Sequence, residues 1–263
     1  MKQLRLMPWL GFCAGAVYFL LPLIGTLEFS MRIHRGRYSF DAYANVLADP
    51  MFRHTFSYSL TVGLFTIIVG ILLVVPAAYF VRLRLPRMRP IVEFVTLLPL
   101  VVPPIIIVFG YIRMFNSSSL LPLTDSARGT DILLTFGYVT LSLPYMYRSV
   151  DTGLRAIDVR SLTEAAHSLG ANSFTTLVRV IFPNILIAVL SGAFLTFAIV
   201  IGEFVMASLL NRPAFGPYMQ NIGANKAYEP AALAIIAFAF TWIAMGAIQL
   251  MGRFAPKTTS VSD

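Results

Sequence analysis

Long apolar segments alternate with short polar ones along the 263 residues of the chain. Six apolar segments are near the roughly 20 residues that a helix needs to cross about 30 Å of hydrocarbon. They cover residues 9–29, 58–81, 91–112, 132–147, 184–210 and 231–252. Because lipid offers no partner to open backbone N–H and C=O groups, each segment is predicted to be a helix. The expected fold is all-α, a polytopic membrane protein with six transmembrane helices in one domain over residues 1–253, followed by a short polar tail at 254–263.

Two of the six segments carry features that bear on their geometry. The fourth is the shortest, and we expect its helix to borrow residues from the flanks. Prolines at 76 in the second segment and at 99, 103 and 104 in the third remove backbone hydrogen bonds. These helices are therefore either bent at the prolines or tolerate them without bending.

The polar stretch between the fourth and fifth segments is patterned as a pair of short helices. Ser161 and Glu164 fit the S-x-x-E capping box of a helix start. An apolar stripe with helical spacing follows, formed by Leu162, Ala165, Ala166 and Leu169. Gly170 is placed to end this helix in a left-handed conformation, and Ser173 to cap a second helix that ends near Pro183. Because the stripe includes small side chains that admit a close neighbour, we expect it to lie in a groove of a partner protein.

The same stretch resembles the EAA loop of ABC-importer permeases. Glu-Ala-Ala at 164–166 is followed after three residues by Gly170, and after nine more by Val-Ile-Phe-Pro at 180–183. The family pattern is EAA, three residues, G, nine residues, I-x-L-P, so the chain departs from it only by two apolar substitutions. The resemblance implies a cytoplasmic coupling-helix loop at about 148–183 that contacts the ATPase subunits. The residues that it assigns to this loop are Ser161, Glu164, Ala165, Ala166, Leu169, Gly170 and Pro183.

Composition supports a membrane protein, and the distribution of charge predicts its orientation. Apolar residues make up 57% of the chain and charged residues 12%, about half the charge of a soluble domain, and the mean hydropathy is +0.77. With the N-terminus in the cytoplasm, 12 of the Lys and Arg residues fall on the inner side and 8 on the outer side. The positive-inside rule therefore favours both termini in the cytoplasm, with the arginine-rich loop at 82–89 as its best support. Arg32, Arg35 and Arg37 in the first outer loop argue against this orientation.

Several classes of function lack the residues that they need. The chain has no G-x-x-x-x-G-K-[ST] phosphate loop, so it is not expected to bind ATP by that route, and ATP hydrolysis is expected on a separate subunit. No nucleophile and base stand out near a span end, so the chain is not expected to be an enzyme. His34, His54 and His167 show no metal-ligand spacing, and Cys13 is the single cysteine, so we expect no metal, cofactor or disulfide. The net charge of +8 is assigned to orientation, and no basic-aromatic stretch indicates nucleic-acid binding.

Beyond the polar stretch, the chain is most similar to the smaller spermidine/putrescine-type permease group. The shared pieces are Tyr-Ala-Asn-Val-Leu at 43–47, the Leu-Pro and Pro-Pro pairs of the third segment, and Glu-Pro-Ala-Ala at 229–232. The resemblance implies half of a translocation pathway in a bacterial inner membrane, with a second homologous permease, a dimer of ATPase subunits and a periplasmic or extracellular solute-binding protein as partners. It implies a polyamine or related organic cation as substrate. Ferric iron or an oxyanion stays open, because the polyamine permease has two adjacent acids where this chain has Gly-Glu-Phe at 202–204.

Glu203 is the candidate for a pathway residue, and two interpretations are open. A carboxylate in a span is a functional-site hypothesis, but one near the outer face also serves to orient the helix or to meet the partner permease. Tyr111, Tyr138 and Tyr145 offer cation–π faces to an ammonium group, or belong to an interfacial aromatic belt. The alternative of a different class is a secondary transporter. Such a carrier needs ionisable groups near the bilayer midplane, which counts against it here.

Overall fold

The computed structural model describes the backbone of residues 3–254 and the side chains of residues 8–247 and 250. Within this part, regular structure is helical apart from one isolated bridge between His34 and Arg37, which confirms the all-α class. The α-helices are α1 (Gln3–Ser30), α2 (Asp41–Ala48), α3 (Pro50–Arg84), α4 (Arg89–Val101), α5 (Pro104–Met114), α6 (Ala127–Arg155), α7 (Val159–Ser168), α8 (Ser173–Thr176), α9 (Phe182–Asn184), α10 (Leu186–Gly202), α11 (Val205–Leu209), α12 (Phe215–Asn225) and α13 (Glu229–Phe254). Leu177–Ile181 is a π-helix. Most of the predicted tail, residues 255–263, lies outside the described part.

Among the residues that the structure describes, three helical stretches are long and apolar enough to cross a membrane by themselves. They are Pro8–Ser30, Pro50–Arg84 and Glu229–Ala247, and they overlap the first, second and sixth predicted segments. In α3, Pro50 occupies the first helical position, where its fixed φ suits the helix and its missing N–H costs nothing. Arg82 and Arg84 stand in the last turn, where the negative end of the helix dipole favours cations. The 35 residues of α3 extend for roughly 52 Å, so this helix runs beyond the hydrocarbon.

The third predicted segment is not a straight helix, and the chain bends where the fifth begins. Residues 86–101 and 104–114 meet at 98°, because Pro103 holds Val102 in an extended conformation and Pro104 has no N–H to continue the helix. Residues 173–184 and 186–202 meet at 79°. Counting each bent pair as one span gives up to five spans by length and apolar composition among the described residues, so the count of six stays a prediction. The fourth segment is the middle of α6, which extends beyond the predicted 132–147 at both ends.

The chain divides into two compact units. The first is Met1–Thr55 with Tyr218–Thr241, and the second is Phe56–Pro217 with Trp242–Asp263. Within the first unit, the rings of Phe29 and Tyr228 lie 5.0 Å apart, and the Tyr218 hydroxyl donates a hydrogen bond to Asp49 at 2.8 Å. The single domain expected over 1–253 stays a prediction.

In the second unit, α6 packs along α10 and α4 and contributes to two hydrophobic clusters. The first cluster joins the C-terminal half of α6 to α3, α10 and residues 159–181. The second joins the N-terminal half of α6 to α5 and α11. The close approach of α6 and α10 requires Gly153, since a Cβ at this position would lie 2.5 Å from the Ala188 side chain. Small residues allow this kind of backbone approach between membrane helices.

Candidate functional site

The helix α7 begins three residues before the predicted start. Asp158 is its N-cap, because the Asp158 carboxylate accepts hydrogen bonds from the Ser161 hydroxyl at 2.7 Å and the Ser161 N–H at 3.1 Å. The same two bonds stabilise the ionised form and hold the pKa of Asp158 below its usual value. Glu164 accepts a hydrogen bond from Arg160 Nε at 2.8 Å and does not cap the helix start. The predicted Ser161–Glu164 capping box is therefore wrong, since Asp158 takes the cap.

The end of α7 confirms the prediction for Gly170. Its φ is +83°, in the left-handed region. The Gly170 N–H donates to the His167 carbonyl at 2.9 Å, and the Ala171 N–H donates to the Ala166 carbonyl at 3.0 Å. These two bonds form a Schellman motif, which satisfies carbonyls that the helix end leaves open.

The second predicted helix is a composite of three short helical pieces. Asn172, not Ser173, caps it, because Asn172 Oδ1 accepts a hydrogen bond from the Thr175 N–H at 2.8 Å. Helix α8 then passes into the π-helix and into α9. Pro183 lies inside α9, and the backbone leaves helical geometry at Ile185, where the 79° bend occurs. We refer to residues 158–184 as the 158–184 segment.

The predicted apolar stripe of α7 divides between a buried and an exposed side. The buried side holds Val159, Thr163 and Ala166, with Leu162 packed partly buried beside them. Four of the outward-facing residues of the 158–184 segment, called the exposed set, are Glu164, Ala165 and Leu169 near α7 and Phe174 in α8. Leu169 is 90% exposed and Phe174 75% exposed. The protein itself therefore covers only half of the stripe.

A buried hydrogen bond and a hydrophobic cluster attach the 158–184 segment to the membrane helices. The Thr163 hydroxyl donates to the Val159 carbonyl at 2.6 Å, so the fully buried Tyr79 is the donor in the 3.2 Å bond between the Tyr79 and Thr163 hydroxyls. Leu177 and Ile181 pack in the cluster formed with α3, α6 and α10. The exposed set therefore stands on a segment that is packed against three membrane helices.

An ion-pair cluster joins the ends of α3 and α6 to the start of α4. The largely buried Asp151 lies 2.6 Å from Arg155, 3.2 Å from Arg89 and 3.7 Å from Arg82. Glu93 pairs with Arg89 at 2.9 Å and with Arg155 at 3.3 Å. In the sequence these arginines indicated only orientation. The structure adds that two of them fix the loop at 82–89 against α6.

At the opposite end of α6, a polar cluster borders a groove that the sequence analysis missed. The Tyr58 hydroxyl donates to Asp131 at 2.6 Å, and Arg212 Nε lies 2.8 Å from the same carboxylate oxygen. The Arg212 guanidinium also lies 5.9 Å from the centre of the Tyr58 ring, in cation–π range. A groove of about 460 Å³ runs between α3 and α6, with Asp131 and Tyr58 beside the apolar Phe65 and Phe136. Tyr58 and Arg212 are 154 positions apart, so no local pattern could have found this cluster.

Glu203 is buried and acts as a helix cap. It follows the last residue of α10, and its two carboxylate oxygens accept hydrogen bonds from the Met206 N–H at 2.8 Å and the Ala207 N–H at 3.3 Å. Both N–H groups lie in the first turn of α11, where the backbone N–H groups have no partner within their own helix. These two hydrogen bonds support the interpretation that Glu203 orients a helix. A role of Glu203 in the pathway stays a prediction.

Two of the three predicted tyrosines, Tyr138 and Tyr111, lie in the hydrophobic cluster that contains the residues capped by Glu203. Tyr138 is buried beside Met206 and Ala207, and its hydroxyl has no hydrogen-bond partner among the described residues. Tyr111 is partly buried, 3.4 Å from the Thr140 hydroxyl. Tyr145 is exposed about two turns further along α6. Of the four predicted pathway residues, Tyr145 therefore stands apart from the other three.

Over residues 67–259, the sequence matches the family of the binding-protein-dependent transport system inner membrane component. The match covers most of the chain. The chain belongs to this family. It is a permease subunit of an ABC importer, a multi-pass inner-membrane protein that is not itself an enzyme, and ATP hydrolysis belongs to a separate subunit. This family membership decides against the secondary transporter.

Curated relatives carry different substrates in their names. The chain is 27% identical over 209 residues to the spermidine/putrescine transport system permease protein PotB of Haemophilus influenzae, covering 73% of this chain and 72% of the relative. It is 28% identical over 262 residues to a probable molybdenum ABC transporter permease protein of Haloferax volcanii, covering 94% and 91%. It is 32% identical over 130 residues to PotC, a spermidine/putrescine permease of Escherichia coli, covering 47% and 48%.

Solved structures of ABC transporters share the fold of this permease. A bacterial alginate ABC transporter in complex with an alginate pentasaccharide-bound periplasmic protein matches with a TM-score of 0.74 at 13% identity, covering 96% of both chains. The methionine transporter MetNI in inward-facing conformations matches with a TM-score of 0.59 at 18% identity, covering 77% of this chain and 93% of that one. At these identities the likeness concerns the fold alone.

Proposed function

We propose that this permease forms half of a translocation pathway and that its 158–184 segment couples the ATPase subunit to transport. The observation that carries the proposal is the exposed set. Leu169 and Phe174 stay exposed in the polar stretch between the fourth and fifth apolar segments, beside the small Ala165 and the charged Glu164. A short helix that presents apolar and small side chains is suited to a groove in a partner protein. The EAA-like spacing of this segment supports the ATPase subunit as that partner.

The packing of the 158–184 segment supports a mechanical role. When the ATPase dimer closes on ATP, it would move the exposed set, and the motion would reach α3, α6 and α10 through Tyr79, Leu177 and Ile181. Tightly packed cores transmit strain and shift between discrete arrangements rather than deforming continuously. The segment would therefore move with these helices as a rigid body and switch access from the outer to the inner side.

Charge reversal on the exposed set tests the coupling. Arg160 and Glu164 are 82% and 65% exposed, so their ion pair adds little to folding, and Glu164→Lys should leave the protein in the membrane. Leu169→Asp should do the same. Both should abolish co-purification of the ATPase subunit and transport, while the matched control Leu120→Asp, at a fully exposed loop leucine, should keep them. Normal ATPase recovery and transport in Leu169→Asp would refute the coupling role.

The proposed orientation places both termini and the 158–184 segment in the cytoplasm. The support is the arginine-rich loop at 82–89 and the need for an ATPase contact on the inner side. Cysteine labelling in a Cys13→Ser background tests it. A membrane-impermeant thiol reagent should modify Leu120→Cys in intact cells, and Leu169→Cys only after permeabilisation. The reverse pattern would invert the orientation.

We propose a polyamine or related organic cation as the substrate. PotB and PotC relatives support this choice, and Glu203 and Tyr138 are the groups that would attract an ammonium. An oxyanion is the second candidate, because the molybdenum relative matches nearly the whole chain and Arg212 neutralises Asp131 beside the groove. Uptake of putrescine and of molybdate by the reconstituted transporter separates the two. Uptake of molybdate alone would overturn the polyamine proposal.

A conservative pair of variants tests Glu203 as a pathway residue. Glu203→Gln keeps an oxygen that caps α11 but removes the charge, whereas Glu203→Ala removes both. If Glu203 attracts a cation, Glu203→Gln should lower cation uptake without a change in thermal stability. If Glu203 is only a cap, Glu203→Gln should transport normally and Glu203→Ala should be the unstable variant.

A further inference from the structure

The first unit contains a tight turn between α1 and α2 that fixes two arginines. His34 and Arg37 form an isolated antiparallel bridge, and Gly36 between them has a φ of +79°. Glycine adopts this conformation without the steric cost that a Cβ would add. Arg35 and Arg37 therefore flank Gly36 on a defined backbone. We refer to residues 32–38 as the arginine turn.

Two cations of the arginine turn are left without counter-charges. Two basic side chains of the turn have acidic partners, Arg32 with Glu28 and His34 with Asp41. Arg35 and Arg37 are exposed, and their side chains form no ion pair with any residue that the structure describes. In the proposed orientation the turn lies on the outer side, where the positive-inside rule disfavours arginines. Among the described residues, these two charges have no acidic partner and are free to meet an anion from outside the chain.

A pocket beside the turn has the chemistry of an anion site. Its volume is about 450 Å³, and it is bordered by the arginine turn and the ring of Tyr228. The described residues that line it include three arginines and no carboxylate. The planar fork of a guanidinium matches a carboxylate in a bidentate pair. The volume is more than a single small ion fills, so the pocket suits groups presented by a larger partner.

We propose that the arginine turn is a docking surface for acidic side chains of the solute-binding protein. This inference rests on the proposed function and orientation, and adds the residues and the chemistry of the contact. Anionic lipids create the negative surface potential mainly on the cytoplasmic leaflet, so a lipid headgroup is the weaker occupant on the outer side. The fixed turn reduces the cost of ordering the arginines on binding. Charge complementarity of this kind acts mainly on the association rate and on its salt dependence.

The test uses the complete transporter in lipid nanodiscs and the solute-binding protein that co-purifies with it. The double variant Arg35→Glu/Arg37→Glu should bind that protein about tenfold or more weakly at low salt, mostly through slower association. Its affinity should also lose the salt dependence of the wild type. The matched control Arg113→Glu/Arg128→Glu changes the net charge equally at two other exposed arginines on the proposed outer side, and should stay near the wild type. ATPase activity without binding protein should be unchanged in both, which also checks that they fold.

Four outcomes would overturn the inference. The double variant binds with the affinity and salt dependence of the wild type. The control pair loses as much affinity as the double variant, which would indicate attraction by overall charge. The defect of the double variant disappears in nanodiscs without anionic lipid, which would make a headgroup the occupant. The wild type recruits the ATPase subunit but no binding protein to its outer face. Failure of the wild type to recruit any ATPase subunit would instead refute the proposed function from which the inference starts.

Discussion

Gly170 allows a test in which backbone conformation is separated from side-chain size. Its φ is +83°, and nothing lies within 4 Å of the position of a Cβ, so a substitution meets no neighbour. A residue with a Cβ costs about 1–2 kcal/mol in the left-handed region, where asparagine is tolerated best and β-branched residues worst. Gly170→Asn should therefore be nearly neutral, Gly170→Ala should cost about 1 kcal/mol and Gly170→Val about 2 kcal/mol. Such energies change the ratio of closed to open helix end by about 5–30-fold.

Hydrogen exchange measured by mass spectrometry reports this ratio directly. The N–H groups of Gly170 and Ala171 close the Schellman motif, so a peptide over residues 164–176 should exchange fastest in the valine variant and at the wild-type rate in the asparagine variant. Peptides from α13 should not differ between variants. Equal protection in all four proteins, after correction for intrinsic exchange rates, would refute the argument from the left-handed conformation. A valine variant that is protected better than the alanine variant would also refute it.

Substitutions at three other places test the contacts of the second unit. Because the pKa of Asp158 is lowered, its cap on α7 is complete above about pH 4 and is lost as the pH falls through the lowered pKa. Asn cannot titrate but can still cap, so Asp158→Asn should keep α7 protected from amide exchange over the whole range. Gly153→Leu should lower thermal stability in detergent by about 1–3 kcal/mol through overpacking against α10, and Gly110→Leu, in open space, should not. Asp131→Ala should destabilise by about 1–2 kcal/mol, more than Tyr58→Phe, because it leaves a partly buried arginine unpaired.

Each of these three has an outcome that contradicts its reasoning. Loss of α7 protection in Asp158→Asn at the same pH as in the wild type would show that another group controls the acid transition. Equal stability of the two leucine variants would show that α6 and α10 separate without cost. A Tyr58→Phe variant less stable than Asp131→Ala would place the main interaction of that cluster on the tyrosine hydroxyl.

The start of α7 shows which part of a helix boundary can be predicted from local sequence and which part cannot. Both Asp158-x-x-Ser161 and Ser161-x-x-Glu164 satisfy the rules for a helix start, so sequence alone allows two registers. The structure selects the earlier one, in which Val159 and Thr163 are buried and Thr163 bonds with Tyr79. Tertiary packing therefore decides between Asp158 and Ser161 as the N-cap, since the local sequence suits both. Gly170 was predictable because no competing residue could end the helix there.

The membrane spans were easier to predict from the sequence than the side-chain clusters that join them. The first, second and sixth segments were predictable because a long apolar segment can satisfy its backbone hydrogen bonds in lipid only as a helix. The third contains three prolines, and only the Pro103–Pro104 pair separates its two helices, while Pro99 remains inside α4. The cluster of Tyr58, Asp131 and Arg212 depends on contacts between residues far apart in the chain, which no periodicity encodes.

The π-helix at Leu177–Ile181 has a consequence for how this segment varies in length. A π turn holds one residue more than an α turn, so removing one residue here would convert it to α-helix and leave α8 and α9 facing as they do now. A deletion inside α7 would instead rotate every later side chain by about 100°. The wide turn is thus a place where a relative one residue shorter would keep the same surface. The nine residues between Gly170 and Val180 include the start of this turn. A motif search that demands nine residues there would therefore overlook such a relative.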